Sequence, residues 1–156
     1  MRISICAVGR LRAGPERDLF DDYSDRFAKS GKALGLGPID LREVEDRKGG
    51  GMSAEAPLLR KAMPQPSVLC ILDERGRVET SPQFANRIAR WRDDGHRHLT
   101  FAIGGADGLA PDLRAEADHA LSFGAMVWPH MLARVMLAEQ LYRAASILAG
   151  SPYHRV

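Results

Sequence analysis

Three short runs that stay mainly apolar without alternating, Ile3 to Val8, Ser67 to Leu72 and Leu99 to Ile103, limit this chain more than anything else in it. A strand with apolar side chains on both faces has to be covered on both faces, which a sheet with one wet side cannot provide. Between these runs lie segments of helical period. Pro15 opens a helix with Leu19, Phe20, Tyr23 and Phe27 at helical spacing, and Gly31 closes it. Ser53 is expected to cap a second helix running to about Ala62, and Ser81-Pro82 starts a third, with Phe84, Ile88 and Trp91 on one face and its end near Gly95. Pro111 begins a fourth helix to about Ala117, and a last one covers His130 to Ala149. Ile39 to Val44 alternates and reads as a strand at or near an edge. Asp73 to Arg77 reads as a turn, His119 to Phe123 as a short final strand, and Asp46 to Gly51 as a flexible basic loop. Strands alternating with helices predict an α/β fold: a parallel sheet with helices on both faces.

At 156 residues the chain suffices for one domain, residues 1–156, burying roughly 70% of its unfolded surface. Its 22 Lys and Arg against 20 Asp and Glu give a net charge of +2, too small to argue for nucleic-acid binding by itself. Convergence matters more than the sum, and Arg10, Arg12, Arg47, Lys48, Arg75, Arg77, Arg87, Arg90, Arg92 and Arg97 are candidates to share a surface. Cys6 and Cys70 sit inside apolar runs, where a free cysteine behaves as a small hydrophobe, so no disulfide is expected. With no long apolar segment and no leader-like start, a cytoplasmic protein without a membrane span is expected.

Chemistry concentrates near the carboxyl end. Gly104-Gly105-Ala106-Asp107-Gly108 follows one apolar run, and Gly124 to Pro129 follows another. Such turns bring backbone N–H and C=O groups close to a ligand at strand ends, where open α/β sheets bind small molecules. The glycine spacing is not that of a dinucleotide fingerprint, and no Lys-Ser or Lys-Thr follows it as in a phosphate-binding loop. A proline-fixed turn ahead of a helix suits an adenosine group read by main-chain atoms. The five histidines lack metal-ligand spacing, no metal is expected, and no nucleophile-elbow motif occurs. The last helix is apolar over more than one stripe, which points to a partner surface and a homodimer. Glu139 and Arg143 stand at i and i+4, the spacing of an ordinary surface ion pair, but Arg134 and Arg143 are both cations on an otherwise apolar helix near the expected site.

The strand end Ala102 to Leu109, the segment Leu121 to His130, the runs Arg134 to Glu139 and Leu141 to Ala144, and the ending Pro152-Tyr153-His154-Arg155 together resemble the ribosomal RNA large subunit methyltransferase H family, of SPOUT class. Ala7-Val8-Gly9-Arg10 fits as well, so the likeness spans the chain. The resemblance implies an α/β domain with a deep carboxy-terminal trefoil knot, a homodimer, and S-adenosyl-L-methionine held by Leu72, Asp73, Gly105, Gly124, Ala125, Met126, Val127, Trp128 and Pro129. It implies methylation of N3 of a pseudouridine in the helix 69 loop of 23S ribosomal RNA, on assembled 70S ribosomes. On the same footing the catalytic candidates are His130, Arg134, Arg143, Tyr153, His154 and Arg155, with Arg134 or Arg143 stabilising the deprotonated base and the tail coming from the second subunit. Gly124 to Trp128 departs from the family pattern, which often has a threonine or serine before the proline and a smaller residue where Trp128 stands, so only main-chain roles carry over there. Two alternatives stand beside this: a noncatalytic ribosome-associated protein of the same fold, and a relative that modifies transfer RNA.

Overall fold

The computed structural model describes residues 1–155. Its sheet has five strands, β1 (Arg2–Val8), β2 (Ile39–Val44), β3 (Val68–Val78), β4 (His98–Ile103) and β5 (His119–Ser122), in the order β2-β1-β4-β3-β5. Every strand pair is parallel, as the non-alternating runs predict. β1 and β4, the most apolar, take central places, while the alternating β2 lies at an edge.

The helices are α1 (Pro15–Lys32), α2 (Gly51–Ala62), α3 (Ser81–Asp93), α4 (Pro111–Ala115) and α5 (His130–Leu148). The period of two in β1 sorts its side chains into two cores. Ile3, Ile5 and Ala7 pack with Phe20, Phe27, Ile88, Leu137 and Leu141, contributed by α1, α3 and α5. Cys6 and Val8 pack with Ala56, Leu59 and Leu113 from α2 and α4. Both cysteines are free and buried, and burial pushes the Cys6 thiol up to about 11 and the Cys70 thiol higher still.

The all-round apolar character of α5 is largely satisfied inside the chain. Val135, Leu137, Ala138, Leu141, Ala144 and Ala145 are buried as the helix packs on α1 and α3, and its alanines let those neighbours approach closely. Met131, Leu132, Met136, Tyr142, Ile147 and Leu148 stay only half-buried in the single subunit.

Three local expectations are corrected. Ser53 lies inside α2 and caps nothing: Gly50 is the cap residue, without a side-chain bond. Asp46 orders the preceding loop instead, its carboxylate accepting from the N–H groups of Lys48 (3.2 Å) and Gly50 (2.5 Å). Thr80 caps α3 in a reciprocal pair with Gln83, a T-x-x-Q box that was readable one residue ahead of the expected start. Asp73 to Arg77 is not a simple turn either. β3 continues to Val78, but both Leu72 and Arg77 stand opposite Leu121, so Asp73 to Gly76 leave the ladder. Gly76 is required where the strand returns, since a Cβ there would come within 2.6 Å of the Ala120 carbonyl oxygen.

Candidate functional site

The carboxyl ends of β4 and β5 and the mid-strand excursion of β3 surround a cavity of about 410 Å³, the size of a small-molecule site. From β4 comes the turn Gly104 to Gly108, closed by the Gly108 N–H donating to the Gly105 carbonyl at 3.1 Å. Gly104 has no alternative: a Cβ would meet the Gly108 carbonyl carbon and oxygen at 2.5 Å. From β3 come Leu72, Asp73, Glu74 and Arg75. The loop after β5 contributes Phe123, Gly124, Met126, Val127 and Trp128, and α5 adds His130 and Ala133.

One hydroxyl joins two of these walls. Ser122 Oγ lies 3.2 Å from the Glu74 and Gly124 carbonyl oxygens and accepts from the Gly124 N–H at 3.1 Å. Trp128 donates its indole N–H to the Phe123 carbonyl at 3.4 Å, and Met126 and Val127 stand 74% and 84% exposed at the rim. The folded chain thus brings together the expected cofactor residues Leu72, Asp73, Gly105, Gly124, Met126, Val127 and Trp128. Ala125 and Pro129 are exposed and do not line the cavity.

Acidic groups outnumber basic ones around it. Asp73, Glu74 and Asp107 line it together with Arg75 and Arg114, and both arginines stand nearly 4 Å from Asp73. Glu55 of α2 lies behind the turn, its carboxylate 3.2 Å from where a Gly105 Cβ would be. Burial, then the negative charges of Asp107 and Asp46, hold that carboxyl above its ordinary range. No local sequence signal marked Glu55, which is 50 residues from the turn it touches, nor Met52 and Arg114 from α2 and α4.

The expected catalytic residues fall into three places. His130 is in the cavity wall, and burial together with the Arg134 charge lowers its titration below the usual imidazole value. Arg134 has no exposed surface: it donates to the carbonyls of Val8 (2.7 Å) and Gly9 (3.0 Å) and to Glu43 (2.8 Å). Its guanidinium is therefore held in the core of this subunit and lines no cavity. Arg143, Tyr153 and His154 gather along the second half of α5, tied to Glu139 at its middle, and Arg155 is exposed. Thirteen residues of helix put Arg143 about 20 Å beyond His130.

His119 behaves like His130, with its titration lowered by burial and then by Arg87. Both rings take up a proton less readily in the folded chain than an unfolded histidine, which does so near pH 6.5. The sign follows: their contribution to stability is complete above about pH 6.5 and is lost as the pH falls below it. Urea midpoints are expected to drop between about pH 7 and pH 5.5, and His119→Gln should flatten that slope; an unchanged slope rejects the assignment.

The comparisons agree with this architecture. A family model described as predicted SPOUT methyltransferase matches residues 1–154. Curated proteins called ribosomal RNA large subunit methyltransferase H are similar over the whole chain: that of Dinoroseobacter shibae is 68% identical over 156 residues, covering 100% of both chains. Those of Roseobacter denitrificans and Ruegeria pomeroyi are 70% and 69% identical, over 99% and 100% of both chains. The chain belongs to the SPOUT methyltransferases and, among them, to the ribosomal RNA large subunit methyltransferase H family. Among the described residues no helix is long and apolar enough to cross a membrane, and no cluster of His, Cys, Asp and Glu is arranged to hold a metal ion.

Proposed function

We propose that this protein uses S-adenosyl-L-methionine to methylate N3 of a pseudouridine in the helix 69 loop of 23S ribosomal RNA, acting as a homodimer on assembled 70S ribosomes. The observation that carries the reading is the glycine-built cavity at two strand ends and the β3 excursion, in a chain 65–70% identical end to end to proteins named for this RNA class. The residues present fit the donor. Its cationic sulfur and amino group suit a cavity where Asp73, Glu74 and Asp107 exceed Arg75 and Arg114 in charge, with Glu55 adding to the excess. Main-chain groups of Gly105, Gly124, Met126, Val127 and Trp128 are assigned to the adenosine end, and the family's trefoil knot belongs to the same reading.

When bound, the cofactor supplies a methyl group made electrophilic by a positively charged sulfur. Pseudouridine N3 is an imide nitrogen that carries a proton, so a residue of the site would have to take that proton up for N3 to act as a nucleophile. A neutral His130 in the cavity wall is able to accept that proton. Arg143 is the cation assigned to the developing charge on the base, and positioning supplies most of the acceleration.

The distance along α5 decides how the parts meet. Arg143 stands about 20 Å along α5 from His130 and holds His154, while Tyr153 is tied to Glu139, nine residues from His130, so the tail acting at this cavity is assigned to a second copy. An apolar hollow of about 460 Å³, walled by Leu19, Tyr23, Val78, Phe84, Val135 and Met136, shares Leu121, Phe123 and Gly124 with the cavity and supports docking there. The test compares strains with and without the gene. Mass spectrometry of 23S ribosomal RNA should find the helix 69 pseudouridine methylated only in the first, and equal methylation in both overturns the substrate. Calorimetric binding of S-adenosyl-L-methionine separates an enzyme from a noncatalytic relative, which should bind none. Activity on isolated transfer RNA but not on 70S particles favours the transfer RNA alternative.

A further inference from the structure

The tail reverses after α5 and returns alongside it: the Gly150 N–H donates to the Ile147 carbonyl at 3.1 Å and the Ser151 N–H to the Ser146 carbonyl at 2.9 Å. That reversal brings Tyr153 level with a carboxylate one turn before Arg143. Glu139 Oε1 accepts from Arg143 Nε at 3.0 Å, from Arg143 Nη2 at 2.5 Å and from the Tyr153 hydroxyl at 2.9 Å. Its other oxygen accepts from Gln140 Nε2 at 2.9 Å. Arg143 Nη1 in turn lies 3.3 Å from His154 Nδ1, and the guanidinium sits 4.8 Å from the centre of the Tyr153 ring, which also packs on Tyr142 at 4.5 Å.

An ordinary i,i+4 pair would need only Arg143 and would stand in water. Glu139 is 17% exposed and Arg143 25%, so these charge-assisted bonds form in a partly dry setting where they hold geometry better than surface pairs do. A guanidinium has five N–H donors; two go to Glu139 and one faces His154, which leaves two on the outer edge for a substrate.

We propose that Glu139 is a positioning residue for the methyl transfer: it touches no reacting atom, but fixes Arg143 and Tyr153, and through Arg143 His154, as one preformed unit. This rests on the assignment of the tail to the chemistry. Glu139 also walls the apolar hollow where the second copy is placed, so the unit is set at the seam it has to cross.

The test uses the full-length protein with 70S particles as acceptor and S-adenosyl-L-methionine as donor. Glu139→Ala is expected to lower kcat about 100-fold while donor affinity by calorimetry stays within about twofold, the cost of loosening a reacting geometry rather than a binding site. Glu139→Gln, nearly isosteric and still an acceptor, should recover part of that loss and covers the case in which the alanine variant does not fold. Combining Glu139→Gln with Tyr153→Phe should cost no more than the worse single change, because both act on one contact. In the protein alone, amide hydrogen exchange at residues 151–155 should quicken in Glu139→Ala or, if that variant does not fold, in Glu139→Gln. Wild-type kcat in Glu139→Gln, additive losses, or unchanged exchange in both variants overturns the proposal. A wild-type protein inert on 70S particles sinks the functional reading instead, and the exchange measurement still decides the Glu139 contact.

Discussion

Arg134→Met is expected to destabilise the protein by about 3 kcal/mol, measured as a lower urea midpoint at unchanged slope, because it breaks an ion pair whose cation has no contact with water. Methionine fills much of the volume but donates nothing. Glu43 would keep only the Leu11 N–H as a partner, and the Val8 and Gly9 carbonyls at the end of β1 would lose their donors. The figure is set at the low end of the range for broken buried pairs, since the Glu43 side chain is 20% exposed and water is able to reach it. Adding Glu43→Gln should restore part of the loss, because the stranded charge is then gone.

The same variant separates two roles. If Arg134 stabilised the substrate anion, as the sequence alone led us to expect, transfer would collapse with little cost to stability. The contacts lead to the reverse order. Arg134 ties α5 to the segment after β1, and a Cβ on Gly9 would meet Met131 at 3.3 Å, His130 Nε2 at 3.6 Å and Arg134 Nη2 at 3.9 Å. Stability is therefore expected to fall first, with transfer reduced through a displaced His130. A change below about 1 kcal/mol would reject the scaffold role.

Arg134 also shows where a sequence stops being legible. A cation on an apolar helix signals that a charge is buried, but its partner Glu43 is 91 residues away, so the residue alone cannot distinguish a core pair from a catalytic group. The strands were readable because β1 and β4 are apolar on both faces, a pattern that only a covered parallel sheet accepts. Their order was not, since β1 pairs with β2 and β4 through long crossovers that leave no mark on local composition. In the cavity, glycine needed at Gly104 by close backbone approach was visible as a motif. Glu55, Met52 and Arg114 were not, because their types are common on helix surfaces and only the packing of α2 and α4 brings them there. The excursion of β3 at Asp73 to Gly76 was half legible: Asp73 to Arg77 read as a turn, but the return of the strand to the same partner depends on the spacing to Ala120.

Two inactive variants are expected to make an active mixture. Gly105→Val sets a branched side chain against Val8 Cγ1, 3.1 Å from the new Cβ, and against the Glu55 carboxylate, which should push the turn into the cavity and abolish donor binding. His154→Ala with Tyr153→Phe leaves the cavity intact and disables the tail. Each homodimer lacks one half of every site. In a heterodimer, the intact cavity of the tail variant meets the intact tail of the cavity variant, so one of the two sites is whole. Random exchange makes half the dimers mixed, and transfer to 70S particles should return to about a quarter of the wild-type rate. The recovery should grow with the time allowed for subunit exchange and vanish if the subunits are crosslinked before mixing. Were each subunit to act with its own tail, no mixture would exceed its inactive parents, and the separation of about 20 Å along α5 would have to be closed within one chain instead.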